Sequence, residues 1–324
     1  MLKGLALTPP VIGRIAIGRV VEKNGRRLPE KDDEFTLTSQ VQNQEGWVVH
    51  PMDAQLRKDP QAKLRSIPVR LLFDDPDLSL RAHYTMFDRA TGRPLCVGDG
   101  ESCKRVTLSG MQSLPCPSPS VCALAQDGHC KPYGRLHVRI DAEDGGHTDA
   151  GTGATGDELS SFVFRTTGFN SIRTLSARLR YLFAASGGLL AALPLELRLR
   201  GKSTTLSHRT PIYYVDLTLR SGHSLAQVVA LARQERQQQA ALGLDQAALD
   251  EAARQGLALG EFEESSEEVA SAGVIEEFFA EPERPESLGP SSEYAEVTTP
   301  PTLKTKLARK LLATADQGGT HAGA

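Results

Sequence analysis

The chain has 324 residues, 40% of them hydrophobic and 24% charged, with a formal net charge of −3. That length holds one large or two ordinary domains, and no apolar run approaches the roughly 20 residues of a membrane span. The charge divides unevenly: residues 1–223 carry 29 Lys and Arg against 23 Asp and Glu, and residues 224–324 carry 8 against 17. A mildly basic body is compatible with nucleic acid without establishing it, and an acidic tail can compete with DNA for a basic face.

At the N-terminus, Met1 to Pro10 meets prolines before any apolar core of an export signal forms, so a cytoplasmic protein is expected. The run from Val11 to Val21 alternates like a strand, and Lys23-Asn24-Gly25 predicts a hairpin. Gly25 to Glu34 reads as a polar loop before a short strand near Phe35 to Leu37. Residues 40–64 are polar and suggest no element. Ser66 to Asp75 places Ile67, Val69, Leu71 and Phe73 on one face, a half-buried strand. Arg81 to Asp88 reads as another and turns at Thr91-Gly92.

All five cysteines then fall between Cys96 and Cys130, at Cys96, Cys103, Cys116, Cys122 and Cys130. Thiolates gathered in a loop rich in Pro and Gly suit tetrahedral zinc, whose binding energy would fold a segment too polar to make a core. The expected ligands are Cys96, Cys116, Cys122 and Cys130, with Cys103 as a spare thiol and His129 as a possible substitute. Two disulfides plus one free thiol are the competing reading, set back by the expected compartment.

After the cysteines, Gly134 to Asp141 puts Leu136, Val138 and Ile140 inward and Arg135, His137 and Arg139 outward. Glu143 to Asp157, rich in Gly, Thr and Asp, is expected to be a mobile loop. Phe162 to Thr167 is a strand, and Asn170 or Ser171 should cap a helix from Ile172 to Ser186 that Gly187-Gly188 ends. Leu193 to Lys202 and Pro211 to Arg220 close the body as strands. The fold class is α+β: a mainly antiparallel β body with one good helix and the cysteine module 96–130. The predicted organisation is this body over 1–223, a helical segment over 224–256 and a mostly disordered acidic tail over 257–324. In that tail, residues 257–300 hold twelve acidic residues and one Arg. The islands Val274 to Phe279 and Leu303 to Leu312 could each form a helix on a partner.

Catalytic motifs are scarce. Gly201-Lys202-Ser203 lacks the glycine that a phosphate loop needs, since Glu196 stands there, and neither Gly-x-Ser-x-Gly nor His-Glu-x-x-His occurs. An open site of Cys, His129 and Asp99 or Asp127 would be the one metal-dependent hydrolase reading. For nucleic acid or a DNA-bound partner, Arg135, Arg139, Arg198 and Arg200 are candidates, joined by Arg173, Arg178 and Arg180 on the helix. Were the two arginine-bearing strands neighbours, one basic sheet face would result.

The order of motifs resembles the recombination directionality factor-like proteins of phages and integrative elements. It begins with Pro9-Pro-Val-Ile-Gly-Arg-Ile-Ala-Ile-Gly18 and runs through Arg27 to Phe35, Val69 to Pro76 and Cys96-Val-Gly-Asp-Gly100. It continues in Pro115-Cys-Pro with Cys122 and Cys130, Gly134-Arg-Leu, Thr166 to Ile172 and Pro194 to Leu197. The likeness covers roughly residues 8–220, with Cys103 and the Glu143 to Asp157 stretch as departures. It implies a non-catalytic accessory protein that binds a serine integrase on its DNA sites and switches integration to excision. Some members carry the labels hydrolase or metal-binding protein. A single-strand-binding or replication accessory protein is the other alternative.

Overall fold

The computed structural model describes residues 10–23, 26–43, 46–57, 59, 61–125, 128–141, 160–203 and 211–259. All lie in the first of the two units into which the chain divides, Met1–Ala280 and Glu281–Ala324. The predicted loop Glu143 to Asp157 and the tail beyond Leu259 lie outside the described residues.

Strand β1 (Val11–Lys23) pairs antiparallel with β2 (Arg26–Asn43), and Lys23 opposite Arg26 places the hairpin where the sequence does. The expected polar loop before Phe35 is instead the first half of β2. Its partner there is β1, whose long backbone edge outweighs the lack of apolar alternation in Arg26 to Asp33. Residues 40–64, which suggested no element, supply β3 (Gly46–Val49) and helix α1 (Pro51–Leu56). The His50 ring caps α1 by accepting the Met52 N–H, and buried Asp53 accepts the Leu37 N–H at 2.8 Å.

The remaining elements are β4 (Ser66–Leu71), α2 (Pro76–Ser79), β5 (Leu80–Phe87), β6 (Pro94–Gly98), β7 (Ser102–Thr107) and β8 (Gly110–Pro115). They continue with β9 (Lys131–Ile140), β10 (Ser161–Thr166), α3 (Phe169–Ser186), β11 (Leu195–Lys202), β12 (Ile212–Leu219), α4 (Leu225–Ala241) and α5 (Gln246–Leu259). One sheet runs β3-β2-β1-β10-β9-β5-β6-β7-β8, with β4, β11 and β12 off this path. Its described pairings are antiparallel apart from β1 with β10. The body is α+β and mainly antiparallel.

β9 is the branch point. One edge pairs with β10, and the other is shared, Lys131 to Leu136 with β5 and Val138 to Ile140 with β4. A ten-residue strand is long enough to serve two partners end to end. Directly opposed residues share a face, so the register lays Leu80, Leu136, Phe164, Ile15 and Leu37 in one apolar row across five strands. Leu175, Leu179 and Leu182 of α3 join the same core. Gly13 permits the close approach of β10 to β1, since a Cβ there would stand 2.5 Å from the Phe162 ring.

Helix α3 corrects the predicted cap. It starts earlier, with Gly168 as N-cap and no side-chain capping bond. The two expected caps have other partners: Ser171 Oγ accepts the Val215 N–H at 3.1 Å, and Asn170 Oδ1 accepts from Lys202 Nζ at 2.8 Å. Gly187 ends the helix in the left-handed region, φ 72°. Ser224 and Gln227 form a reciprocal capping box at the start of α4. Val228 and Ala232 then enter the main core, and Ala253 of α5 packs with Phe73 and Leu78. Arg236 also bonds Asp74 at 2.7 Å, so both helices are fastened to the sheet body.

Candidate metal centre and basic face

The cysteines sit on a meander at the sheet's end, β5-β6-β7-β8. Cys96 of β6 lies opposite Arg105 of β7, and Gly98 opposite Cys103, which puts both thiols and the guanidinium on one face. Cys116 follows β8, its N–H donating to Glu101 O at 2.8 Å. The Cys122 N–H donates to Ser118 O at 3.0 Å in the Pro-Ser-Pro turn, where Ser118 has φ 67°. Cys130 leads directly into β9. Cys96, Cys103 and Cys116 are buried together with Met86 and Leu114 against them, and Cys122 and Cys130 are half-buried.

The glycine opposite Cys103 makes the space. A Cβ at Gly98 would lie 2.7 Å from Cys103 Cβ and 3.0 Å from Cys116 Sγ. Arg105 reaches into the same group, with Nε 3.5 Å from Cys96 Sγ, and Nη2 3.9 Å from Cys103 Sγ and 4.0 Å from Cys122 Sγ. Burial, and then the neighbouring Cys96, push the Cys103 thiol up to about 11. Burial pushes Cys130 up to about 11 too, reinforced by Cys96, Cys116 and Cys122. Cys103, expected as the spare, is buried with Cys96 and Cys116. Among the described residues the five are free thiols, and no three His, Cys, Asp or Glu side chains form a metal-holding group. Sulfur is a donor type that zinc accepts, and Gly98 lets Cys103 and Cys116 pack closely against the β6 backbone.

The residues of the alternative open site are placed differently. Asp99 is engaged in the β6–β7 turn, accepting the N–H groups of Glu101 and Ser102 and the Ser102 hydroxyl, bonds that hold its carboxyl below the usual range. His129 is exposed, and Asp127 lies outside the described residues.

The predicted basic residues do not form one face from two neighbouring strands, because β4 lies between β9 and β11. Arg198 bonds Glu196 and also Ser221 Oγ at 2.8 Å. Arg200 and Arg178 both hold Asp216, at 3.2 and 3.0 Å. Arg180 faces Asp77 at 3.6 Å, and Arg173 is exposed. Arg139 lies opposite Arg70, which bonds Asp141 at 3.0 Å. Arg135, expected outward and solvated, is buried instead, as is His137. Alternation correctly separated the two faces of β9, but both faces are covered.

Sequence reasoning also passed over Arg105, and it counted Gly98 among the glycines of a loop where the structure has a strand. Their signal was present in the register of a Cys-x-Gly strand against a Cys-x-Arg strand, which becomes visible once the pairing is known.

Together these features define an α+β protein built on a branched antiparallel sheet that ends in a cysteine-lined meander. A family model described as Gp3-like, recombination directionality factor-like, matches residues 12–220, and the chain belongs to that family. No curated protein and no solved structure matches it. The matched range takes in the cysteine meander and ends just after β12. No helix of the described residues is long and apolar enough to cross a membrane.

Proposed function

We propose that this protein is a non-catalytic accessory factor of site-specific recombination in a phage or other mobile element. In this reading it engages a serine integrase on its DNA sites and turns the reaction from integration towards excision, in the cytoplasm. The family match over residues 12–220 carries the reading, because it spans nearly the whole sheet body and the cysteine meander. The exposed and partly paired arginines of α3 and β11, namely Arg173, Arg178, Arg198 and Arg200, with Arg139 on β9, supply contacts for phosphates or for the DNA-bound partner. Arg135 is buried in the resting body and would join them only if its cover moved.

One structural zinc belongs to the same reading, held by Cys96, Cys116, Cys122 and Cys130. Such an ion would supply cross-linking and folding energy, and four thiolates leave no open position for an activated water. Arg105 lies in reach of three of the sulfurs, Cys96, Cys103 and Cys122.

The test is a recombination assay with a serine integrase, drawn from the same mobile element where one is encoded there, and DNA carrying its attachment sites. The expected result is stimulated excision between the hybrid sites and suppressed integration. Unchanged recombination in both directions, with no binding to the integrase–DNA complex, would overturn the assignment.

A further inference from the structure

The apolar face of the sheet runs out from under α3 at the helix's first turn, and a cleft opens there. Two residues beyond Leu80 and Leu136 on the same face, Ala82, Gly134 and Thr166 stand in a row, and two further on come Pro132, Tyr84, Gly98 and Cys103. The second row ends in the cysteine cluster, so the cleft lies between α3 and that cluster. Ala82, Tyr84, Pro132 and Asp99 line it from the sheet, and Ile172 and Phe169 from the helix, around a volume of about 160 Å³.

Three separate segments that carry the family resemblance meet here: Cys96 to Gly100 brings Asp99, Thr166 to Ile172 brings Phe169 and Ile172, and Gly134 lies beneath the helix. Gly134 sets the approach, since a Cβ there would stand 2.9 Å from Ile172 Cγ1. Ile172 is buried, whereas the Phe169 ring is 56% exposed. The size suits a single ring, because an apolar cavity of about 150 Å³ holds one benzene molecule. Charge then selects what carries the ring. Asp99 is exposed at the rim, and Glu101 is exposed two residues on in the same turn. The turn bonds that hold the Asp99 carboxyl below its usual range keep it ionised at neutral pH. An acidic lip repels phosphate oxygens and attracts Lys or Arg, which favours a protein side chain over a nucleotide. Arg173, one turn past Phe169 and exposed, stands outside the lining.

We propose that this cleft receives an aromatic side chain of a protein partner, from a segment in which that residue is flanked by Lys or Arg. The ring enters against Ala82, Pro132 and Ile172 and packs on Phe169 and Tyr84, and the flanking cations meet Asp99 and Glu101. Such an arrangement, an aromatic anchor in an apolar pocket with charge at the edge, is how a few residues carry most of the energy of a protein interface. The partner's identity rests on the recombination reading above, under which it is the DNA-bound integrase, whose phosphate contacts require a basic surface. The cleft's preference for a basic-aromatic segment does not depend on that reading.

The test titrates the full chain with the peptide acetyl-Gly-Lys-Trp-Lys-Gly-amide, followed by saturation-transfer NMR of the indole protons. The same peptide with Ala for Trp should fail to compete, and the one with Glu for both Lys should bind more weakly. Phe169→Ala should weaken binding about tenfold, as should Asp99→Asn/Glu101→Gln, in which the Asn oxygen still accepts the turn N–H groups. The double variant should also lose the salt dependence of binding. Tyr181→Ala, which removes another exposed aromatic three turns along α3, should bind as wild type does. No binding to the wild type, or equal binding by Phe169→Ala and the double variant, overturns the proposal. So does displacement of the peptide by single-stranded oligothymidylate at lower concentration than by the peptide's own unlabelled competitor, which would make the cleft a nucleobase site. In the recombination assay, a Phe169→Ala protein that stimulates excision as fully as wild type would remove the cleft from the integrase contact while leaving the accessory role standing.

Discussion

Gly98 of β6 lies directly opposite Cys103 of β7, and a methyl group placed on it would stand 3.0 Å from Cys116 Sγ. The sulfur cluster therefore depends on a missing side chain. Gly98→Ala should cost about 1–3 kcal/mol through overpacking. A thermal melt together with zinc content checks it: the melting temperature should fall and bound zinc should drop, and an unchanged melt would show that the meander opens freely.

The cysteine variants test the ligand assignment. Cys116→Ser, Cys122→Ser and Cys130→Ser are each expected to lose zinc and to destabilise the body, because a structural site's binding energy is folding energy. Cys103→Ser should keep its zinc. Elemental analysis of the four purified variants decides, and equal zinc in all of them would dismiss the assignment.

Without metal, the same sulfurs make stability depend on alkaline pH. Cys103 and Cys130 are pushed from an ordinary 9.0 up to about 11, first by burial. A folded pKa above the unfolded one stabilises the fold below pH 9.0 and loses that contribution as pH rises through about 11. Urea unfolding of chelator-treated protein should therefore show a falling midpoint across that window. Zinc-loaded protein should respond at the other end, weakening as acid returns protons to the thiolates.

Arg57 tests the packing of the N-terminal strands. Its Nε bonds Asp53 at 2.7 Å, and Nη1 bonds Glu34 at 2.8 Å and Ala62 O at 2.9 Å, while Nη2 bonds Phe35 O at 3.0 Å. Arg57→Ala strands two buried carboxylates and should cost about 3–5 kcal/mol in chemical denaturation. Arg57→Lys keeps the charge but not the fork, and should fall between the two.

Reversing Arg198 and Arg200 together to Glu should weaken DNA binding and flatten its salt dependence, by about 0.9 in the log–log slope for each phosphate no longer neutralised. Zinc content should not change. Fluorescence anisotropy across a salt series measures both affinity and slope, and identical affinity for DNA and for the integrase–DNA complex would remove β11 from the interface.

Much of the fold was legible because it is local. Period-two alternation marked β4, β9 and β11, the apolar stripe and Gly187 marked α3, and the crowding of five cysteines marked the module. These signals lie within a few residues of chain, where side-chain direction follows from backbone period. The polar half of β2 and the helix α1 were not legible, since their partners β1 and Leu37 lie elsewhere in the chain.

The sequence by itself determined which residues share a face. What covers each face was decided by tertiary structure. Alternation put Arg135 and His137 opposite Leu136 and Val138, but a two-residue period carries no information about the far side of the pleat. Only the register of β9 with β5 and β10 aligned Arg135 with Arg81 and Arg165, and only the surrounding chain took them out of water. Ser171 shows the same division: its composition suits a helix cap, yet the β12 backbone at Val215 competes for its hydroxyl and wins because strand and helix pack there. Such choices rest on contacts between residues far apart in sequence, which no local pattern encodes.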